Sequence, residues 1–272
     1  MSIARLKSLV IAVLLLINIF FATDIVWDRI SDAAQQARTI GELRVVMESS
    51  GLALSVNAIG DVAVLDAYTT SQDAFAEAVI ARAILGDCAP VQSESGQIYA
   101  GENGTATFNS SGRFIIEMTE AVFSAEASPE RAARKLLKSM GINTAEPVAS
   151  VFGNTTIVVA LCSWRGSQIF NCTVSFTFVG GELVNITGRR PSGMSEAHSG
   201  DSISLPTALL SFLRFNKAQE TEAGEITSIE PGYRMNVDAF GDGMLIPGWL
   251  IKTDAGDYFA NASSGEIQRN DI

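Results

Sequence analysis

Hydrophobic positions fall into three patterns along the chain. The first is an unbroken run: from Leu9 to Ala22 no side chain is charged, and Asn18 is the only strongly polar one. A helix rising about 1.5 Å per residue over 8–27 covers about 30 Å, one hydrocarbon core. Arg5 and Lys7 precede the run, and Asp24, Asp28 and Arg29 follow it. Basic residues stay on the cytoplasmic side. The expectation is a cytoplasmic N-terminus (1–7), a transmembrane anchor (8–27) and an extracytoplasmic body. A cleaved signal peptide is the competing reading. The aromatics in Phe20-Phe21-Ala22-Thr23 occupy positions where cleavage wants small residues, which favours an uncleaved anchor.

The second pattern has helical spacing. Ile30, Ala33, Ala34, Ala37, Ile40, Leu43, Val46 and Met47 predict a juxtamembrane helix over 28–50, stopped near Gly51. Another helix runs through FAEAVIARAIL to Gly86, with Ser71 as its expected cap. In SPERAARKLLKSMGI, Ser128 caps, Pro129 takes the first helical position and Gly141 stops the helix. Ser204, Leu205 and Pro206 start a fourth helix through TALLSFLRFNKAQ.

Alternation is the third pattern. It predicts a hairpin from 52–59 and 60–68, then strands near 97–101, 104–109 and 112–118. Further strands follow at 148–152, 156–163, 168–179 and 182–189, with Gly180-Gly181 as a hairpin turn. The last set lies at 225–238, 244–254, 257–262 and 265–269. A helix followed by antiparallel strands thus recurs. The fold class expected is α+β: a single N-terminal transmembrane helix, then an ectodomain of antiparallel sheets with packed helices in repeated units. We divide it into a first α+β domain (51–126) and a second (127–272).

Composition narrows the function. The chain is 47% hydrophobic and 18% charged, so it is neither disordered nor low in complexity. A formal net charge of −11 argues against nucleic acid and against a body lying flat on an anionic bilayer. Of three cysteines, Cys162 and Cys172 flank WRGSQIFN. A three-residue loop at 166–168 places them opposite each other on neighbouring strands. They are a candidate disulfide in an oxidising exterior, or two small buried apolar residues; both readings stand.

Candidate chemistry is sparse. His198 is the sole histidine, beside Ser195, Glu196, Ser199 and Asp201, in a string without a nucleophile elbow. Asp238 with Asp242, and Asp254 with Asp257, bracket glycines and fit turns before cations. No phosphate-binding glycine motif is present. Sequons at Asn103, Asn109, Asn154, Asn171, Asn185 and Asn261 follow from a composition rich in Asn, Ser and Thr. We therefore expect no enzyme, catalytic residue, cofactor or metal. Inside the anchor, Ile11, Leu15, Asn18 and Ala22 line one helical stripe. An amide near mid-bilayer seeks a partner, which makes these four the candidates for helix pairing.

Two stretches resemble known families. In IPGWLIKTDAGDYFANASSGEIQ, the residues Pro247, Trp249, Gly256, Tyr258, Asn261, Ala262, Gly265 and Glu266 resemble the closing hairpins of PepSY-like domains. RLKSLVIAVLLLINIFFATDIVW, ILGD at 84–87 and YAGENGTATFNSSG resemble the YycI-type regulatory proteins. The resemblance implies two PepSY-like units in 127–272. It further implies an accessory regulator of a cell-wall-related sensor histidine kinase, acting with a YycH-type sister protein through the membrane helix. The alternative it leaves is a tethered PepSY-like module that binds a ligand or inhibits a peptidase.

Overall fold

The computed structural model describes residues 39–55, 58–59, 65–93, 96–119, 122–124, 128–191, 193–196, 202–219, 223–238 and 242–270. The anchor at 8–27, the stripe Ile11, Leu15, Asn18 and Ala22, and His198 lie outside them. No helix among the described residues is long and apolar enough to cross a membrane.

The chain divides into two compact units, 1–54 and 55–272. In the first, helix α1 is described over 39–49 and strand β1 spans Ala53–Leu54. Gly51 N–H donates to the Glu48 carbonyl and Leu52 N–H to the Met47 carbonyl, ending α1 where the sequence places its stop.

The second unit is a sheet-rich α+β body. Helix α2 (Ala74–Leu85) precedes strands β3 (Cys88–Ser93), β4 (Gly96–Gly101), β5 (Gly104–Phe108) and β6 (Arg113–Met118). Helix α3 (Pro129–Ser139) precedes β7 (Val148–Phe152), β8 (Thr155–Trp164), β9 (Ser167–Val179) and β10 (Glu182–Arg189). These strands form one antiparallel sheet in the order β7-β8-β9-β10-β6-β5-β4-β3. β6 pairs with β10, so strands from before and after the boundary expected at 126–127 share one sheet.

Alternation decides what this sheet buries. Val158, Ala160 and Cys162 on β8, and Cys172, Val174, Phe176 and Phe178 on β9, point into one core. Ile80, Ile84 and Leu85 of α2 and Leu136 and Leu137 of α3 close it from the helix side. In α3, Ser128 Oγ accepts from Arg131 N–H at 3.3 Å. Gly141 and Ile142 N–H groups satisfy the carbonyls of Lys138 and Leu137. Between β9 and β10, Gly180 and Gly181 both have positive φ (60° and 84°), as the two-residue hairpin expected there requires.

The remaining strands are β2 (Tyr68–Thr70), β11 (Ser195–Glu196), β12 (Glu225–Val237), β13 (Gly243–Thr253), β14 (Gly256–Asn261) and β15 (Ile267–Arg269). β12 and β13 form a long hairpin. β13 then divides its free edge, giving 243–245 to β2 and 248–253 to β14. Helix α4 (Leu205–Ala218) covers one face of β14, with the Phe212 and Phe215 rings 5.2 and 5.8 Å from that of Tyr258. This group joins the first sheet where β12 runs parallel to β9, pairing Gly232 with Gln168 and Tyr233 with Ile169.

Two local expectations are corrected, and one strand is added. Tyr68–Thr70, at the end of the expected 60–68 strand, pairs among the described residues with β13 and β11. The Tyr68 ring packs edge-on to Trp164 and Tyr233 at 5.7 and 6.0 Å, and its hydroxyl accepts from Arg165, so distant aromatic packing holds this strand. The cap of α2 is Asp73, whose Oδ1 accepts from Ala76 N–H at 3.1 Å; Ser71 is directed to the Gly193 carbonyl. A carboxylate next to the first turn satisfies a donor and the dipole together. Strand β3 is an addition, paired in register with β4 from Cys88↔Gly101 to Ser93↔Gly96.

Candidate binding groove

The face of the β12–β15 sheet turned away from α4 is built around two glycines. A Cβ at Gly232 would stand 2.4 Å from Phe170 Cζ, and one at Gly248 2.5 Å from Phe259 Cζ. Both positions must therefore lack side chains for the rings to lie on the sheet. Phe170, Leu250 and Phe259 form a small separate core there, with Leu161 and Ile246 against it.

Beside this core, β12 parts from β9 and leaves a groove of about 470 Å³. Ile246 and Phe259 supply apolar lining; Arg189, Arg234, Asn236, Asn261, Glu266 and Gln268 supply polar groups. The volume is that of a small-ligand pocket, and the lining is more polar than such pockets usually are. Arg189 ends β10, and its Nε donates to the Ser111 carbonyl at 3.1 Å, which fixes the guanidinium. Burial lowers the Arg189 pKa from its ordinary value; Cys172 opposes that shift and Arg113 adds to it. Arg234 has a buried Nη1 with no hydrogen-bond partner among the described residues. Glu266 Oε1 accepts from Gln268 Nε2 at 2.9 Å, and Asn261 Oδ1 accepts from Ser263 and Ser264 N–H. That turn is the Asn-Ala-x-x-Gly-Glu element singled out in the sequence.

The cysteines lie under the same site. Trp164 pairs with Ser167, so the β8–β9 turn is the two residues Arg165–Gly166, one shorter than expected. Cys162 falls at the register shift between Leu161 and Ser163, one residue from the Leu161↔Thr173 pair, and its thiol neighbours that of Cys172. Both are free and fully buried, and both thiols donate to the Arg189 carbonyl, at 3.3 and 2.8 Å. Burial, followed by the neighbouring Cys162, holds the Cys172 thiol well above the usual thiol range.

Of the two carboxylate pairs, only Asp238 with Asp242 is joined within one turn. Asp242 N–H donates to Asp238 Oδ1, and the Asp254 carboxylate accepts from the N–H groups of Gly224 and Glu225. Asp257 accepts through its backbone carbonyl from Asn270 N–H. No group of three or more His, Cys, Asp or Glu among the described residues is arranged to hold a metal. The groove itself was missed in the sequence, because its residues come from six strands and no local motif joins them. The one available signal was Arg234, charged between the alternating core positions Tyr233 and Met235.

No protein-family model matches the sequence, and no curated protein matches it. Among solved structures, the chain is similar to an uncharacterized protein from Eubacterium rectale ATCC 33656. The identity is 12%, over 80% of this chain and 91% of that one, with a TM-score of 0.48. It is also similar to the YpeB C-terminal domain of Bacillus megaterium, at 11% identity over 75% of this chain and all of that one, with a TM-score of 0.39. At these scores neither likeness bears on what the groove binds.

Proposed function

We propose that this chain is a membrane-tethered, extracytoplasmic binding module without enzymatic activity, whose groove engages a partner and thereby regulates it. The observation that carries the reading is the groove itself, with two guanidiniums and several amides around an apolar strip. Those are groups for hydrogen-bonded recognition, and they are positioned by strands, which hold side chains more rigidly than loops do. The PepSY-like character of the closing hairpins is part of this proposal. It rests on Pro247, Trp249 and Tyr258 in the strands and on the Asn261–Glu266 turn.

The second reading, accessory control of a sensor histidine kinase together with a YycH-type sister protein, is favoured by the uncharged run and its Asn18 stripe. In that case binding shifts the kinase only by its differential affinity for two kinase states.

Cross-linking pull-down from membranes separates the two. We expect full-length protein and the Asn18→Leu variant to recover the same extracytoplasmic partner, and the Arg189→Gln/Arg234→Gln variant to lose it. Loss of a kinase in Asn18→Leu, with full recovery in the groove variant, would establish the second reading in place of the first.

A further inference from the structure

We infer that the groove takes a carboxylate carried by an extended peptide, seated between Arg189 and Arg234. This rests on the proposed binding function and names its ligand chemistry. Buried polar groups in folded proteins are almost always paired; Arg234 lines the groove and its buried Nη1 has no acceptor among the described residues, so this guanidinium keeps unused hydrogen-bonding capacity beside the groove. A second guanidinium, Arg189, lines the same groove and is held by the Ser111 carbonyl through Nε. A planar fork matched to two oxygens distinguishes a carboxylate from a neutral carbonyl.

The rest of the lining fits a peptide better than a bare anion. The chain as a whole is acidic, at −11, which disfavours a polyanion as the ligand. Glu266, also at the groove, opposes a second negative charge but accepts from peptide N–H groups. Asn236 and Asn261 add amides, and Ile246 and Phe259 give an apolar strip for one side chain. The ligand class is therefore a short peptide segment with one carboxylate, from either a free C-terminus or an acidic side chain.

Titration calorimetry on the full chain in detergent tests this with three probes. They are tetra-alanine with a free C-terminus, its C-terminal amide, and the amide of an acetylated tetrapeptide carrying one Asp. We expect at least one carboxylate probe to bind, and the plain amide to bind at least about tenfold more weakly, one charge-assisted contact being worth about that factor. Which carboxylate probe binds identifies the source. Arg234→Met and Arg189→Met should each cost about tenfold, Arg234→Lys less, and Lys135→Gln on α3 nothing. Thermal melts of each variant separate lost binding from lost folding.

Equal binding of all three probes, or of none, overturns the carboxylate assignment. If the groove variant still loses its partner in the pull-down, the binding function survives and only the ligand chemistry falls. If the pull-down is also indifferent to the groove, both fall.

Discussion

The side-chain amide of Asn171 is bonded to the backbone of Met235 in both directions. Its Nδ2 donates to the Met235 carbonyl and its Oδ1 accepts from the Met235 N–H, each at 2.8 Å. The side chain thus continues the parallel β9–β12 pairing by one step after the two backbones part. It closes the end of the joint at the groove. Removing the amide orphans a donor and an acceptor, each worth about 1–3 kcal/mol when left unpaired in a partly buried site. Asn171→Ala should therefore lower stability by about 2–4 kcal/mol in urea unfolding. Asn171→Asp should cost at least as much, since a carboxylate faces the Met235 carbonyl. A loss below about 0.5 kcal/mol in both would show that the joint does not depend on this pair.

The two glycines under the phenylalanines give a sharper test of packing. At Gly248 an added Cβ meets the Ala260 carbonyl oxygen at 2.2 Å as well as the Phe259 ring, and at Gly232 the Gln168 carbonyl oxygen at 2.7 Å. Backbone cannot rotate aside as a side chain does. Gly248→Ala and Gly232→Ala should each destabilise by about 1–3 kcal/mol, the usual cost of overpacking. Gly141, where a Cβ meets nothing within 4 Å, has positive φ of 68° instead. Its alanine variant reports backbone strain without a clash, about 1 kcal/mol. Thermal melts of the three variants rank the two effects.

Much of this fold is visible in the order of residues, and the reason is distance along the chain. Strands 148–152, 168–179 and 182–189 are legible because alternation and the Gly180-Gly181 turn are local. Helix α3 is legible because cap, first-turn proline and stop are all contained in SPERAARKLLKSMGI. Strand β2 is not, since its partners Leu245 and Glu196 are set by packing of Tyr68 on Trp164 and Tyr233. The parallel β9–β12 joint is hidden for the same cause, and so is the groove. Arg189 and Arg234 are 45 positions apart and meet at one site only because that joint exists.

Glu77 should make stability depend on pH. It is 4% exposed, on the core side of α2, and its pKa is raised, chiefly by burial. The Gln72 hydrogen bond and Arg190 oppose the shift, and Asp73 adds to it. Because the folded pKa exceeds the unfolded one, the stability linked to the proton is complete below the unfolded value, near pH 4.3. It is lost as pH rises through the folded value. Glu77→Gln, which has no proton to lose, should flatten the melting temperature between about pH 4 and 7. A wild-type profile that rises across that window, with the variant parallel to it, contradicts the assignment.

The cysteines carry a chemical test that also decides whether they are joined. Cys172 is buried with its thiol raised well above the ordinary range, while an unfolded thiol ionises near pH 8.5. Above about pH 8.5 the unfolded state sheds a proton that the folded state keeps, so stability falls as pH rises, and Cys172→Ala removes that slope. Native protein treated with iodoacetamide should label first at Cys88, the half-buried cysteine of β3, since the other two are 0% exposed. Cys162 and Cys172 should label together once the protein is unfolded, without reductant. If they label only after reduction, the pair is a disulfide in the native protein. The Arg189 carbonyl then loses both donors. Because Arg189 lines the groove, the oxidised and reduced proteins should differ in carboxylate-peptide affinity, whereas free thiols leave that affinity indifferent to reductant.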